Sequence, residues 1–150
     1  LGEKDGMMKE MGVITGNGVA GMIVQVSDHY SKAISFLNSN TRISCKVKRN
    51  DAVGILYWNG ENSRTAVLED LPLTTEILKG DTVMTSGYSL IYPKGIVVGV
   101  VSKVSENLDK QMLDISVDLS LDYNTLNHVY VVESLYKEEV EELKAKAIDE

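Results

Sequence analysis

Three side chains of this 150-residue sequence fall in a chain order that one class of serine hydrolase uses: His29, then a carboxylate at Asp51 or Asp70, then Ser86. Such a set would run acyl transfer, with Ser86 as nucleophile and His29 as base. Chain order alone does not make a triad, because the triad is defined by geometry. Ser86 also lies in Thr85-Ser86-Gly87, without the flanking glycines of a nucleophile turn, and His29 reads as a turn residue in Ser27-Asp28-His29-Tyr30. A second candidate is the carboxylate pair Asp114 and Asp118. On a strand, four residues at about 3.3 Å each separate them by roughly 13 Å, whereas glycosidase carboxylates lie within about 9.5 Å. With Ser116 between them they read as one solvated strand face.

Gly16-Asn17-Gly18-Val19-Ala20-Gly21 matches the spacing of a dinucleotide fingerprint. That fingerprint works only where the glycines open a helix. Here they lead into Met22-Ile23-Val24-Gln25-Val26, a strand sequence, so a hairpin turn followed by a strand glycine is expected. About 20 residues further on stand Asn38, Ser39 and Asn40, none of them an acid for a ribose. His29, His128 and the single Cys45 are too far apart for metal-ligand spacing, and no cofactor is expected. Cys45 alternates with Ile43 and Val47 on one face of a strand, opposite Ser44, Lys46 and Lys48, and reads as a small buried hydrophobe. His128, in Leu126-Asn127-His128-Val129-Tyr130, is expected to pack on a strand.

The segment from Gly87 to Lys94 places Tyr88, Leu90, Ile91 and Tyr92 in eight residues, closed by Pro93 and Gly95. Connecting segments are usually polar because they cross the surface. Two readings stand: these side chains plug the end of a barrel, or they form an exposed patch for a partner. Trp58, beside the Asn59-Gly60 turn signal, carries the same ambiguity.

The elements that must hold these residues are nearly all strands. Val19–Val26, Lys32–Leu37, Ile43–Lys48, Gly54–Trp58, Arg64–Glu69, Thr82–Thr85, Val97–Val104, Met112–Leu119 and Asn127–Val132 each read as a short strand bounded by turn residues. Leu113-Asp114-Ile115-Ser116-Val117-Asp118-Leu119 alternates apolar and polar without a break, as a half-buried antiparallel strand requires. Helical spacing occurs only at Tyr136, Val140, Leu143 and Ala147, inside a tail of six acids and three lysines from Lys137 to Glu150. The hydrophobic fraction of 43% suits a globular core, and the net charge of −7 argues against a phosphate-binding face or a polybasic membrane anchor. No apolar run approaches the roughly 20 residues of a membrane span. Leu1 stands where an initiator Met would, so a fragment, with any anchor outside it, is expected.

An internal repeat is visible. Val13-Ile14-Thr15 matches Val83-Met84-Thr85 at an offset of 70, and Gly18–Ser27 matches Ile96–Ser105 at an offset of 78. The difference of 8 places an insertion at Gly87–Lys94. Each copy gives a strand, a turn and a glycine-kinked strand, with Gly18, Gly21, Gly87, Gly95 and Gly99 as the turn or strand glycines. The expected fold is all-β, with two small similar β-barrel subdomains over residues 1–70 and 71–135, the second able to exchange strands with the first. Residues 136–150 are expected as an acidic helical or disordered tail.

Gly2-Glu3-Lys4-Asp5-Gly6-Met7, Met11-Gly12-Val13-Ile14 and Gly18–Ile23, followed by Lys79-Gly80-Asp81-Thr82-Val83-Met84-Thr85-Ser86-Gly87 and Tyr92-Pro93-Lys94-Gly95-Ile96-Val97-Val98-Gly99, resemble in order and spacing the β-region of the bacterial rod-shape-determining MreC family. Tyr92 stands where that family usually has Phe. The resemblance runs from about Gly2 to about Glu133. It implies two small β-barrels and no catalytic residues. It also implies a scaffold anchored through an N-terminal helix, lying on the extracytoplasmic face, that self-associates and binds membrane partners and peptidoglycan synthases of cell elongation; the net charge of −7, separately, argues against nucleic acid as a partner. On the chemistry of the side chains, the expected partner-binding residues are Tyr88, Leu90, Ile91, Tyr92 and Trp58. Two other classes remain open: a hydrolase built on Ser86 and His29, and a glycan-binding β-module with Trp58 and the tyrosines as a stacking platform.

Overall fold

The computed structural model describes residues 1–133 and 142–146. Ten strands form: β1 (Gly12–Thr15), β2 (Gly18–Val26), β3 (Ser31–Ser35), β4 (Ile43–Val47), β5 (Val53–Tyr57), β6 (Thr65–Glu69), β7 (Thr82–Thr85), β8 (Val97–Asn107), β9 (Met112–Leu119) and β10 (Tyr130–Val132). Six of them close into a barrel in the order β4-β5-β6-β9-β8-β7, and the other four make an open sheet, β10-β1-β2-β3. The all-β class is as the period-two alternation requires. In β4, Ile43, Cys45 and Val47 point inward, and in β9 Leu113, Ile115, Val117 and Leu119 do the same. Residues 142–146 are helical and exposed; the rest of the expected tail lies outside the described residues.

Three expectations are revised. Among the described residues one subdomain closes as a barrel, while the other is an open sheet. A division at residue 70 cuts through the barrel, because β4, β5 and β6 precede that point, yet β4 pairs with β7 and β6 with β9, while β10 returns to β1. Long-range antiparallel pairing, not position along the chain, assigns each strand to its sheet. The last strand begins at Tyr130, which leaves His128 exposed ahead of it.

The repeat is structural as well as sequential. In the first copy Val13 faces Gly21, the register then slips, and Ile14 faces Val19; in the second Val83 faces Gly99, the register slips, and Met84 faces Val97. A second slip falls between Ile23 and Gln25 in β2 and between Val101 and Lys103 in β8, again 78 residues apart. Such bulges bend a strand and sharpen its twist, as a small barrel needs. Gly21 and Gly99 occupy equivalent positions for one reason: a Cβ at Gly21 would overlap the Ile34 carbonyl, and one at Gly99 the Asp118 carbonyl. The open sheet thus corresponds to β4, β7, β8 and β9 of the barrel. It has no counterpart of β5 and β6 among the described residues.

A polar knot holds the turn ahead of β7 against the β4–β5 turn. Arg49 Nε and Nη2 donate to the two Asp81 carboxylate oxygens, each at 3.0 Å, and Nη1 and Nη2 donate to the Glu76 carboxylate and carbonyl. Asp81 also accepts the Leu78 N–H at 2.9 Å and is buried. The hydrogen bond from Arg49 is the main reason the Asp81 carboxyl sits below its ordinary value, against the opposing cost of burial. This sets a direction for pH. Asp81 contributes stability fully above the ordinary carboxylate pKa of about 3.9, and loses it as pH falls through its lower folded value. Asp81→Ala is therefore expected to cost about 2–3 kcal/mol at pH 7 in urea unfolding. The gap from wild type should narrow on acidification below about pH 4; a gap that does not change with pH would contradict the ion-pair role.

Candidate interaction surface

Residues whose chemistry tempted assignment are engaged in structure. Ser86, at the end of β7, is buried. Its Oγ shares a 2.7 Å hydrogen bond with Ser44 Oγ, donates to the Ser44 carbonyl at 3.1 Å and accepts the Tyr88 N–H at 3.2 Å. None of these partners is a base. His29 lies in the exposed turn between β2 and β3, its backbone packed on Gly2. Asp114 and Asp118 stand exposed on the outside of β9, as the alternation requires. Cys45 is fully buried, and burial pushes its thiol up to about 12, so it is held as the unreactive thiol. No group of three or more His, Cys, Asp or Glu residues able to hold a metal occurs among the described residues. A cleft of about 470 Å³ between the β1–β2 turn and residues 120–130 contains Arg64 and His128, but Arg64 already faces Asp122 at 3.6 Å.

The segment between β7 and β8 divides the two readings between its own residues. Gly87 and Gly95 take left-handed backbone at its two ends, and Thr85 Oγ donates to the Pro93 carbonyl at 2.6 Å and accepts the Ile96 N–H at 2.9 Å. Tyr92 is driven inward, 3% exposed, with its hydroxyl donating to the Gly21 carbonyl at 2.6 Å. It is a plug between barrel and open sheet, not a partner-binding residue. Ile91 is half-buried against the core, and Leu90 is half-buried at a left-handed position. Tyr88 alone stands out, 74% exposed. Trp58 leans on the core while its Nε1 donates to the Asn62 carbonyl at 2.7 Å, spanning the 58–64 connection. It packs the loop down and offers no free stacking platform; the Asn59-Gly60 signal marks a seven-residue loop, not a two-residue turn.

Beside Tyr88, register assembles a surface that the sequence pattern left scattered. Val53 on β5 faces Lys46 on β4, Lys46 faces Met84 on β7, and Met84 faces Val97 on β8. These four side chains form one row across the outside of the barrel. Val53 is 37% and Val97 42% exposed. Lys46 Nζ donates to Asp51 at 2.8 Å, and this bond holds the Asp51 carboxyl below its usual range, with the charge of Lys94 adding to the effect. Lys48, just past the end of β4 and two residues from Lys46, is exposed. The alternation around Cys45 pointed Lys46 and Lys48 outward, but nothing in the sequence joined them to Met84, Val97 or Val53.

The fold defines an all-β domain in which a closed six-stranded barrel carries a second, open sheet. A sequence model of the rod shape-determining protein MreC family, described as its barrel core, matches residues 1–133, and the chain belongs to that family. It is 32% identical over 137 residues to the cell shape-determining protein MreC of Listeria monocytogenes, covering 87% of this chain and 45% of that protein. The chain thus spans about half the length of that relative. It superimposes on the solved MreC structure from Listeria monocytogenes with a TM-score of 0.82 at 26% identity, over 89% of this chain and 65% of the other. At 21% identity and a TM-score of 0.70, it shares the fold of a chain in a structure described as a complex between penicillin-binding protein PBP2 and MreC from Helicobacter pylori, over 83% and 77% of the two chains. A further solved structure of this fold, at 23% identity and a TM-score of 0.66 over 81% and 75%, is described as the major periplasmic domain from the cell shape-determining filament MreC. No helix among the described residues is long and apolar enough to cross a membrane.

Two measurements check this assignment of roles. Tyr92→Phe removes the buried hydrogen bond to the Gly21 carbonyl and is expected to cost about 1 kcal/mol in denaturant unfolding, whereas Tyr88→Phe should change stability by less than about 0.5 kcal/mol. Cys45 in the folded protein should react with an aromatic disulfide reagent only at the rate of global unfolding; rapid labelling would contradict its inward position.

Proposed function

We propose that this chain is the extracytoplasmic, non-catalytic binding part of a scaffold in bacterial cell elongation. It maintains cell shape by self-association and by holding membrane partners and a peptidoglycan synthase. One observation carries this reading: the family match extends over every residue from 1 to 133, the whole of both sheets. Two facts about relatives support it. The Helicobacter pylori relative is found in a complex with a penicillin-binding protein, and another relative is described as a periplasmic domain and a filament. The chemistry agrees, since Ser86 is bonded to Ser44 and a backbone N–H, and offers an acyl group no activated nucleophile. An anchor for the whole protein, ahead of these residues, belongs to the same proposal, with Tyr88 among the residues that touch a partner.

The test is direct binding. The purified chain is titrated into the extracytoplasmic domain of the elongation penicillin-binding protein encoded in the same genome, and the complex is followed by calorimetry. Saturable one-to-one binding is expected. No detectable complex at 100 μM of each partner, on the order of the weakest specific encounters worth naming, would reject the scaffold reading.

A further inference from the structure

The outer face of the barrel over β4, β7 and β8 mixes exposed apolar side chains with lysines. The row Val53–Lys46–Met84–Val97 puts three apolar side chains around a lysine. Lys48 and Lys94 flank it, Tyr88 rises beside it, and Asp51 is the acid among them, already bonded to Lys46. Three cations against one anion make this face positive, on a chain whose net charge is −7. Asp118, opposite Val100, marks its margin on β9.

The duplication gives an independent reason to read the face as a docking surface. Met84–Val97 is equivalent, through the offsets of 70 and 78, to Ile14–Val19 in the open sheet. In that copy the row is covered: Val19 is 3% exposed and, with Ile14, packs on the barrel core beside Phe36, Ile43 and Leu56. The same row of the same motif is thus an interface once within this chain. In the barrel Val97, the equivalent of Val19, is 42% exposed, while Met84, like its equivalent Ile14, is half-buried.

Building on the scaffold reading above, we propose that this face docks a segment of the partner protein in which apolar side chains are bracketed by carboxylates. The apolar residues lie over Val53, Met84 and Val97, and the carboxylates pair with Lys48 and Lys94. Lys46, half-buried and bonded to Asp51, fills the centre of the row. Rim lysines steer and orient an acidic partner and make the complex sensitive to salt, while the apolar row supplies the area that leaves water.

The test uses the folded chain and the penicillin-binding protein domain of the same genome. Four proteins are compared by calorimetry at 50 and 300 mM salt: wild type, Lys48→Glu with Lys94→Glu, Val53→Ser with Val97→Ser, and Lys103→Glu as a control outside the row. All changed side chains are exposed, so melting temperatures should stay close to wild type. Each double variant is expected to weaken binding by about tenfold or more, the charge variant should lose most of the salt dependence, and the control should stay within about twofold. Wild-type binding with both double variants unimpaired overturns this face and leaves the scaffold reading standing. Absence of wild-type binding rejects the scaffold reading and this proposal together. Double variants that bind the synthase domain normally but no longer self-associate in sedimentation assign the face to a second copy, and also overturn the proposal.

Discussion

The hydrogen bond from the Tyr92 hydroxyl to the Gly21 carbonyl joins the two halves of this molecule, and much of the rest of the structure is arranged around it. Gly21 is at a point where β2 approaches Ile34 too closely for any Cβ. Tyr92 comes from the connection that only the second copy of the repeat possesses. Its ring lies on Gly12, where a side chain would strike it, and its hydroxyl reaches β2 at 2.6 Å. Tyr123 repeats the device, donating to the Val19 carbonyl at 2.6 Å and stacking with Phe36. A buried carbonyl without a donor is costly, so these two phenols fix the open sheet on the barrel in one orientation.

Duplication explains why such ties are needed. The same strand–bulge–strand motif is used twice, but only the barrel copy has β5 and β6 to close it. Closure removes free strand edges, so the barrel is stabilised largely by its own interior, from Val47 to Val117. The open sheet keeps a smaller core of Met7, Met11, Val13, Ala20, Ile23 and Leu121 and uses its second face, Ile14 and Val19, against the barrel. One motif therefore serves in two ways, with Val19 buried in one copy and its equivalent Val97 exposed in the other.

The reactive-looking residues fit the same economy. Arg49, Glu76 and Asp81 hold turns together, Ser86 and Ser44 share one hydrogen bond, and Thr85 closes the 87–95 connection. No buried side-chain polar atom among the described residues lacks a hydrogen-bond partner. Polar groups fixed in this way hold the turns and connections of the barrel in one arrangement.

The sequence by itself determined the all-β class, the place of nearly every strand, the inward side of β4 and β9, and the repeat with its insertion, because each depends on alternation or spacing within a few neighbouring residues. The inert role of Cys45 and the turn at His29 followed from the same local pattern. Tertiary structure alone decided that β4 to β6 join the barrel, that Tyr92 turns inward while Tyr88 stands out, and that Val53, Lys46, Met84 and Val97 meet in one row. Each of these depends on which strand lies beside which, and at what register. Lys46 and Val53 meet across a short hairpin, but Lys46 and Met84 are tens of residues apart, so no local window of sequence contains the whole row. A slip of one residue would have turned every one of those side chains to the opposite face.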